Sequence, residues 1–215
     1  MLARPAHGEI AAEHEGVAVI AIVDYRAGNL TSVKKAFDHI GADCVVTDDP
    51  EVVRQAEKIV LPGVGHFAAT CSLSGSGLRE AMEDGIRRGT PFLGICVGMQ
   101  WMMAASAEAP GVKGLGVWAV ECERFPAEVK APHVGWNQLQ IRNGGSRLLR
   151  GIDSGAFVYF THSYRVPLLE ATVAETEYGG CYSAVVERDS LFGVQFHPEK
   201  SGVVGLRLLE NFRGL

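Results

Sequence analysis

The chain has 215 residues and a formal net charge of −5, with 47% hydrophobic and 21% charged residues. These values are ordinary for a globular protein that can bury a sizeable core, and they exclude disordered and fibrous classes. The charge is mild and no run of Lys and Arg is present, so we expect no nucleic-acid partner. No apolar run approaches the ~18 residues that cross a bilayer, so no membrane partner is expected either.

The cysteines indicate a compartment and exclude two kinds of site. Their number is odd, they are widely spaced and no two form a Cys-x-x-Cys pair; the five are Cys44, Cys71, Cys96, Cys122 and Cys181. This pattern disfavours a disulfide framework and a zinc site, so we expect a cytoplasmic protein without a metal. Residues 1–16 lack the apolar centre of a secretory signal and are predicted to form a flexible N-terminal extension, before one domain at residues 17–215.

The first half of the chain alternates predicted strands and helices. Residues 17–23 are continuously apolar and β-branched, which is typical of a strand buried in a parallel sheet. Apolar residues from Leu30 to Ile40 recur at helical spacing before Gly41. The next predicted elements are strands at 44–47 and 58–61, a helix from Leu78 that stops at Gly89, a strand at 92–95 and a helix at 99–105. This alternation predicts an α/β fold with a mostly parallel central sheet flanked by helices.

The second half has a different texture. Short strand-like runs are separated by Gly, Pro or charged residues. They lie at 118–125, 136–141, 157–164, 171–174, 182–187 and 191–197, and a closing helix is predicted at 203–212. We expect these strands to form an antiparallel extension of the same domain.

Cys96 stands between the predicted strand at 92–95 and the helix that follows it. Gly94 and Gly98 lie two residues away on each side, where small residues permit a sharp strand-to-helix turn. A thiol at the start of a helix is near free N–H groups and the positive end of the helix dipole, which favour the thiolate. Cys96 is therefore a candidate nucleophile, although a cysteine is more often simply a buried apolar residue.

His197 and Glu199 are candidates for a base and the group that orients it. Pro198 favours extended geometry for His197, so both side chains are expected to project from one side of extended chain. Glu199 can then accept a hydrogen bond from the ring nitrogen that faces away from the thiol. The alternative is a His-Pro turn with an exposed glutamate.

A third candidate element is the loop at residues 62–65, which follows a predicted strand. Gly63 and Gly65 surround Val64, so backbone N–H groups there are free to turn toward a developing oxyanion. A simple flexible turn is the alternative reading of the same residues.

These segments resemble a known family. Residues 94–100 and 197–199 match the nucleophile and base motifs of the class I, or triad, glutamine amidotransferases. Residues 24–33, 132–137 and 159–164 are similar to the glutaminase subunits of imidazole glycerol phosphate synthase, which act in histidine biosynthesis. The resemblance extends from about Val19 to the C-terminus. It implies a class I glutamine amidotransferase-like (flavodoxin-like) fold and no cofactor.

The resemblance also implies roles for individual residues. Cys96 would attack the carboxamide of glutamine, His197 would protonate the departing ammonia, and Glu199 would orient His197. The backbone N–H groups of Val64 and Val97 would hold the oxyanion, the former after a peptide rearrangement. The implied glutamine-binding positions are Gly63, Gln100, Glu108, His162 and Ser163.

A partner follows from the same resemblance. In the family, ammonia passes through a channel to a separate cyclase subunit, a (β/α)8 barrel, which makes imidazole glycerol phosphate and aminoimidazole carboxamide ribotide. Such a barrel typically takes about 250 residues, so the partner would be another polypeptide in a heterodimer. The implied interface positions are Asn29, Trp136, Tyr159 and Lys200. Core packing for the two aromatic residues, and a solvated charge for Lys200, are the alternatives.

Two residues depart from the family pattern. Arg26 stands where glycine is expected, and His66 follows the 62–65 loop where a small residue is expected. Three other functions remain open at this point: the glutaminase partner of another synthase such as anthranilate synthase, a free-standing γ-glutamyl hydrolase, and an inactive binding module on the same fold.

Overall fold

The computed structural model of the protein describes residues 20–142 and 144–215. The predicted extension at residues 1–16, and the first part of the strand predicted at 17–23, lie outside the described residues. The helices are α1 (Leu30–His39), α2 (Pro50–Gln55), α3 (Cys71–Gly75), α4 (Leu78–Arg87), α5 (Val97–Trp101) and α6 (Gly202–Arg213), with short 3₁₀ helices at Phe67–Thr70 and Pro198–Lys200. The strands are β1 (Ile20–Val23), β2 (Cys44–Thr47), β3 (Lys58–Gly63), β4 (Phe92–Cys96), β5 (Met103–Ser106), β6 (Trp118–Arg124), β7 (His133–Gln138), β8 (Gln140–Ile141), β9 (Phe157–His162), β10 (Tyr164–Arg165), β11 (Thr172–Glu177), β12 (Cys181–Arg188) and β13 (Leu191–Val194).

An eight-stranded sheet forms the centre of the fold, in the order β2-β1-β3-β4-β13-β12-β11-β8. The strands from β2 to β13 in that order run parallel, and β12, β11 and β8 continue the sheet antiparallel. Every residue of β1, β4 and β13 is buried, as expected for apolar strands in the middle of a parallel sheet. The predicted fold class, a mostly parallel sheet with an antiparallel extension, is confirmed. The expectation that the strand at 191–197 belongs to the antiparallel extension was wrong, because β13 runs parallel to β4.

Two smaller sheets complete the structure. One has the order β10-β6-β5, and the other is the antiparallel pair β7-β9, in which Trp136 lies opposite Tyr159. In β9 the side chains of Val158, Phe160 and His162 are buried and alternate with more exposed ones, so the pair packs one face on the domain and exposes the other.

The prediction of a helix at 99–105 was wrong in its second half. Helix α5 ends at Trp101, and Met103–Ser106 is strand β5, paired with β6. The N–H of Leu115 donates to the Trp101 carbonyl at 2.6 Å, so the chain around residue 115 takes up carbonyl groups that would otherwise continue the helix. Pairing with distant chain thus overrides the helix propensity of the Met and Ala residues.

Smaller differences have local causes. The sequence reading missed helix α2, which Asp49 caps by accepting the Glu51 N–H at 2.9 Å and which has Pro50 in its first turn. The strands predicted at 136–141 and 157–164 each break in two, at Leu139 and Ser163.

Candidate active site

Cys96 lies at the turn between β4 and α5, where the sequence predicts a strand-to-helix elbow. Its backbone has φ 54° and ψ −107°, a conformation that residues other than glycine rarely adopt, and its side chain is 3% exposed. Gly63, at the end of β3, lies beside Cys96 in the sheet register. Strain at one residue in a buried turn is typical of a functional position.

Glycines allow the elbow to pack this closely. A Cβ atom on Gly98 would lie 1.8 Å from the Leu61 carbonyl oxygen, and one on Gly94 would lie 2.6 Å from the Gly98 carbonyl oxygen. The first turn of α5 therefore rests directly on the backbone of the neighbouring strands. This places the free N–H groups at the start of the helix, including that of Val97, next to the sulfur.

His197 follows β13, the parallel neighbour of β4. Its Nδ1 atom lies 2.9 Å from Oε1 of Glu199, and both side chains are 1% exposed. Since an ionised carboxylate only accepts, Nδ1 carries a hydrogen and Nε2 is the nitrogen that is left for the sulfur. Nε2 is buried and makes no hydrogen bond to the described residues. The expectation that Glu199 lies on extended chain was wrong, because Pro198–Lys200 is a 3₁₀ helix.

The charge state of His197 depends on its two neighbours. Burial by itself would lower the pKa of the ring, but interaction with Cys96 and then with Glu199 outweighs it and raises the pKa to about 10. The ring is therefore protonated at neutral pH.

Gln195 is a site residue that the sequence reading missed. Gln100 donates from Nε2 to the Tyr164 carbonyl oxygen at 2.8 Å and to Gln195 Oε1 at 3.2 Å. With its oxygen engaged, Gln195 turns its amide nitrogen to Cys96 Sγ, at 3.7 Å. The signal available in the sequence was a glutamine inside an otherwise apolar strand, since a buried amide needs partners.

A small cavity of about 30 Å³ opens beside the sulfur. It is lined by Gly65, Cys96, Val97, Gln100, Glu108, Thr161, His162, Ser163 and Tyr164. The fold thus brings four of the five predicted glutamine-binding positions to Cys96, while the fifth, Gly63, adjoins Cys96 in the sheet. Val64 does not line the cavity, and its side chain is 39% exposed.

Glu108 also contacts the segment that follows the 62–65 loop. Its Oε2 atom accepts the backbone N–H of Phe67 at 2.7 Å, at the start of the first 3₁₀ helix. A carboxylate at this position satisfies a free N–H group and lies at the wall of the cavity. Glu108 therefore joins the cavity to the end of the loop.

Comparison with known proteins identifies the family. The sequence profile of the class-I glutamine amidotransferases matches residues 21–213. The imidazole glycerol phosphate synthase subunit HisH of Methanothermobacter thermautotrophicus is 47% identical over 195 residues, covering 90% of this chain and 97% of the relative. The chain belongs to the class-I glutamine amidotransferases, in the HisH family. The resemblance inferred from the motifs is confirmed.

Two further comparisons agree with this assignment. HisH of Moorella thermoacetica is 46% identical over 196 residues, covering 90% of this chain and 93% of the relative. A solved structure of a glutamine amidotransferase is 19% identical and superposes with a TM-score of 0.71, covering 91% of this chain and 99% of that one. At this identity the superposition shows a shared fold.

Three of the positions that the HisH resemblance implies for an interface lie together on one surface. The side chain of Trp136 is 55% exposed and meets the Tyr159 ring edge-on at 5.9 Å between centroids. The ammonium of Lys200 lies 5.8 Å from the centre of the Tyr159 ring. Core packing therefore does not account for Trp136. Asn29 directly precedes α1, the helix that packs against the 3₁₀ helix containing Lys200.

Exposed apolar residues extend the same surface. Val134 and Phe157, on β7 and β9, are each more than half exposed. With Trp136 and Tyr159 they form an apolar face of the β7–β9 pair, which we name the β7–β9 face. Large exposed apolar side chains grouped on one face of a sheet are typical of interaction sites.

The two departures from the family pattern have local structural accounts. Arg26 adopts φ 64°, the left-handed conformation for which glycine is preferred, and its N–H donates to Asp24 Oδ1 at 2.7 Å. His66 caps the 3₁₀ helix by accepting the Ala68 N–H at Nδ1, at 3.1 Å.

No group of three or more His, Cys, Asp or Glu side chains in residues 20–142 and 144–215 is arranged to hold a metal ion. No helix in these ranges is long and apolar enough to span a membrane.

Proposed function

We propose that the chain is the glutaminase subunit of an imidazole glycerol phosphate synthase, with a Cys96–His197–Glu199 triad. The observation that carries the proposal is the pairing of a buried, strained cysteine at a helix start with a buried His–Glu pair in the segment that follows the adjacent strand. The identity to HisH proteins over nearly the whole chain favours this function over the partner of another synthase or a free-standing hydrolase. In this proposal residues 17–215 form the amidotransferase domain.

The reaction begins with glutamine in the cavity beside Cys96. Both amide hydrogens of Gln100 are engaged by protein acceptors, so its carbonyl oxygen is the group that can accept a hydrogen bond from the substrate. The Glu108 carboxylate attracts the substrate ammonium. Main-chain groups of His162 and Ser163 complete the pocket.

The thiolate of Cys96 then attacks the carboxamide carbon. The carbonyl oxygen becomes an oxyanion, held by the Val97 N–H and by the Val64 N–H after the peptide between Gly63 and Val64 rotates. The C–N bond breaks as protonated His197 gives its Nε2 proton to the leaving nitrogen, which departs as ammonia.

Water completes the turnover. Neutral His197 takes a proton from a water molecule, whose oxygen attacks the thioester carbon. The C–S bond breaks, glutamate leaves, and the Cys96 thiolate and protonated His197 are restored. Glu199 holds the ring in the same tautomer through both halves of the reaction.

The ammonia passes to a separate cyclase subunit, for which we propose a (β/α)8 barrel. That subunit combines it with its nucleotide substrate to give imidazole glycerol phosphate and aminoimidazole carboxamide ribotide, in histidine biosynthesis. The β7–β9 face, with Asn29 and Lys200, is the proposed docking surface. Nucleotide bound to the partner favours the rotated Gly63–Val64 peptide and so raises the glutaminase rate.

Labelling with a glutamine analogue that carries an electrophilic carbon tests the triad. We expect intact-mass and peptide analysis to find a single adduct on Cys96, and glutamine to protect against it. Cys122→Ala is the matched control, because Cys122 is also fully buried and burial raises the pKa of its thiol well above the usual range. An adduct that survives in Cys96→Ala, or glutamine failing to protect, would contradict the proposed nucleophile.

A further inference from the structure

The hydroxyl group of Tyr182 bridges two buried histidines. It lies 3.1 Å from His133 Nδ1 and 3.3 Å from His162 Nε2. The three side chains come from β12, β7 and β9, and none is more than 6% exposed. The other ring nitrogen of His162, Nδ1, lies 2.8 Å from the Tyr164 carbonyl oxygen.

These contacts fix the position of each proton. The Tyr164 carbonyl can only accept, so His162 Nδ1 carries a hydrogen. In a neutral ring Nε2 is then an acceptor, so the Tyr182 hydroxyl donates its single hydrogen to it. The hydroxyl oxygen is left to accept from His133, whose Nδ1 must be the donor. The direction of donation therefore runs from His133 through Tyr182 and His162 to the Tyr164 carbonyl.

Burial keeps both rings neutral at physiological pH. It lowers the pKa of His133 to about 4, and it lowers the pKa of His162 to about 3 against the opposing effect of the bond to Tyr164. Arg165, whose guanidinium lies over the Tyr182 ring and pairs with Glu123, disfavours a second positive charge there. The donation order therefore holds at neutral pH.

The chain of hydrogen bonds ends on the wall of the Cys96 cavity. His162, Ser163 and Tyr164 form part of that wall. The Tyr164 carbonyl accepts from His162 on one side and from Gln100 on the other, at 2.8 Å in each case. One carbonyl group is thus held by the buried histidine and by the amide that leads through Gln195 to the sulfur.

We propose that His133 and Tyr182 are positioning residues for glutamine binding, acting through His162 on the backbone of residues 162–164. This rests on the proposed function, since it assumes that glutamine occupies the cavity. His133 lies opposite His162 in the β7–β9 pair and directly precedes Val134 of the β7–β9 face. The hydrogen-bond chain therefore joins the proposed docking surface to the pocket through a single hydroxyl group.

Tyr182→Phe tests the proposal in the complex with the cyclase subunit and its nucleotide. The variant keeps the ring but leaves two buried nitrogens without a partner, so we expect KM for glutamine to rise about tenfold. The reaction of Cys96 with iodoacetamide, which lacks the amino-acid head group of glutamine, should change less than twofold. Tyr178→Phe is the matched control, because Tyr178 stacks on His133 and its hydroxyl donates instead to the backbone carbonyl oxygen of Lys130, at 2.7 Å. Its KM should stay at the wild-type value.

Variants of His133 and the tautomers of His133 and His162 test the same hydrogen bonds. His133→Asn retains a donor near Nδ1 and should keep KM close to wild type, whereas His133→Leu should raise it as Tyr182→Phe does. Imidazole ¹⁵N spectra of the wild type should show His133 and His162 as neutral Nδ1–H tautomers. A wild-type KM in Tyr182→Phe, an equal rise in Tyr178→Phe, or an Nε2–H tautomer at His162 would overturn the proposal. No glutamine hydrolysis by the wild-type complex would instead overturn the proposed function, and this inference with it.

Discussion

At the scale of single residues, the charge of the catalytic candidate His197 depends on its neighbours in the site. Its ring is buried, yet its pKa is raised to about 10 because Cys96 and Glu199 act against burial. Because the folded pKa lies above the usual ~6.5, the charged ring stabilises the fold fully below about pH 6.5. That contribution is lost as the pH rises through about 10.

Glu199→Gln is predicted to lose part of this stabilisation. The replacement removes the charge that holds the Nδ1 hydrogen, so we expect the free energy of unfolding to fall by about 1–3 kcal/mol near pH 7. Urea unfolding at several pH values from 6.5 to 10.5 measures the difference. The difference between wild type and variant should shrink as the pH approaches 10, whereas a constant difference would show that the ring is neutral in the wild type.

At the scale of elements, the elbow depends on backbone contact between α5 and the strands beneath it. The sequence contained this information locally, because two glycines flank a cysteine at the end of an apolar run. The residue at which α5 ends could not be predicted from the sequence. The residues from Met99 to Ala105 have helix propensity throughout, and only pairing with β6 converts their second half into a strand.

Gly98→Ala tests the packing of the elbow. A Cβ atom at this position would lie 1.8 Å from the Leu61 carbonyl oxygen, so α5 must move away from β3. We expect a loss of about 3 kcal/mol or more in the free energy of unfolding, with loss of Cys96 labelling by the glutamine analogue. Gly75→Ala is the control, since the corresponding atom would meet nothing within 4 Å. Equal midpoints of urea unfolding for the two variants would contradict this account.

At the scale of the whole molecule, three strand ends bring together residues from distant parts of the chain. Gly63 and Cys96 are the last residues of β3 and β4, and His197 follows β13; the three strands are neighbours in the sheet. The motifs could be predicted because each is short and continuous. His133 and Tyr182 could not, because they are 49 positions apart and only the packing of two different sheets brings them into contact.

The β7–β9 face is connected by hydrogen bonds to the proposed catalytic base as well as to the pocket. The His197 N–H donates to the Tyr159 carbonyl at 2.9 Å, and Ser201 links the same two residues by bonds of 2.7 and 3.0 Å. A partner that docks on Trp136 and Tyr159 therefore contacts strand β9, whose backbone is hydrogen-bonded to His197. This connection supports a glutaminase whose rate depends on its partner.

Ammonia release from glutamine is the measurement that tests the central claim most directly. It should be made on the chain alone and with a cyclase subunit and its nucleotide, for wild type, Cys96→Ala and Trp136→Ser. We predict a low rate alone, strong stimulation by the loaded partner, no release by Cys96→Ala, and weakened stimulation in Trp136→Ser with Cys96 labelling retained. A high rate without the partner would indicate a free-standing hydrolase and contradict the gated partnership. Undiminished release by Cys96→Ala would contradict the triad.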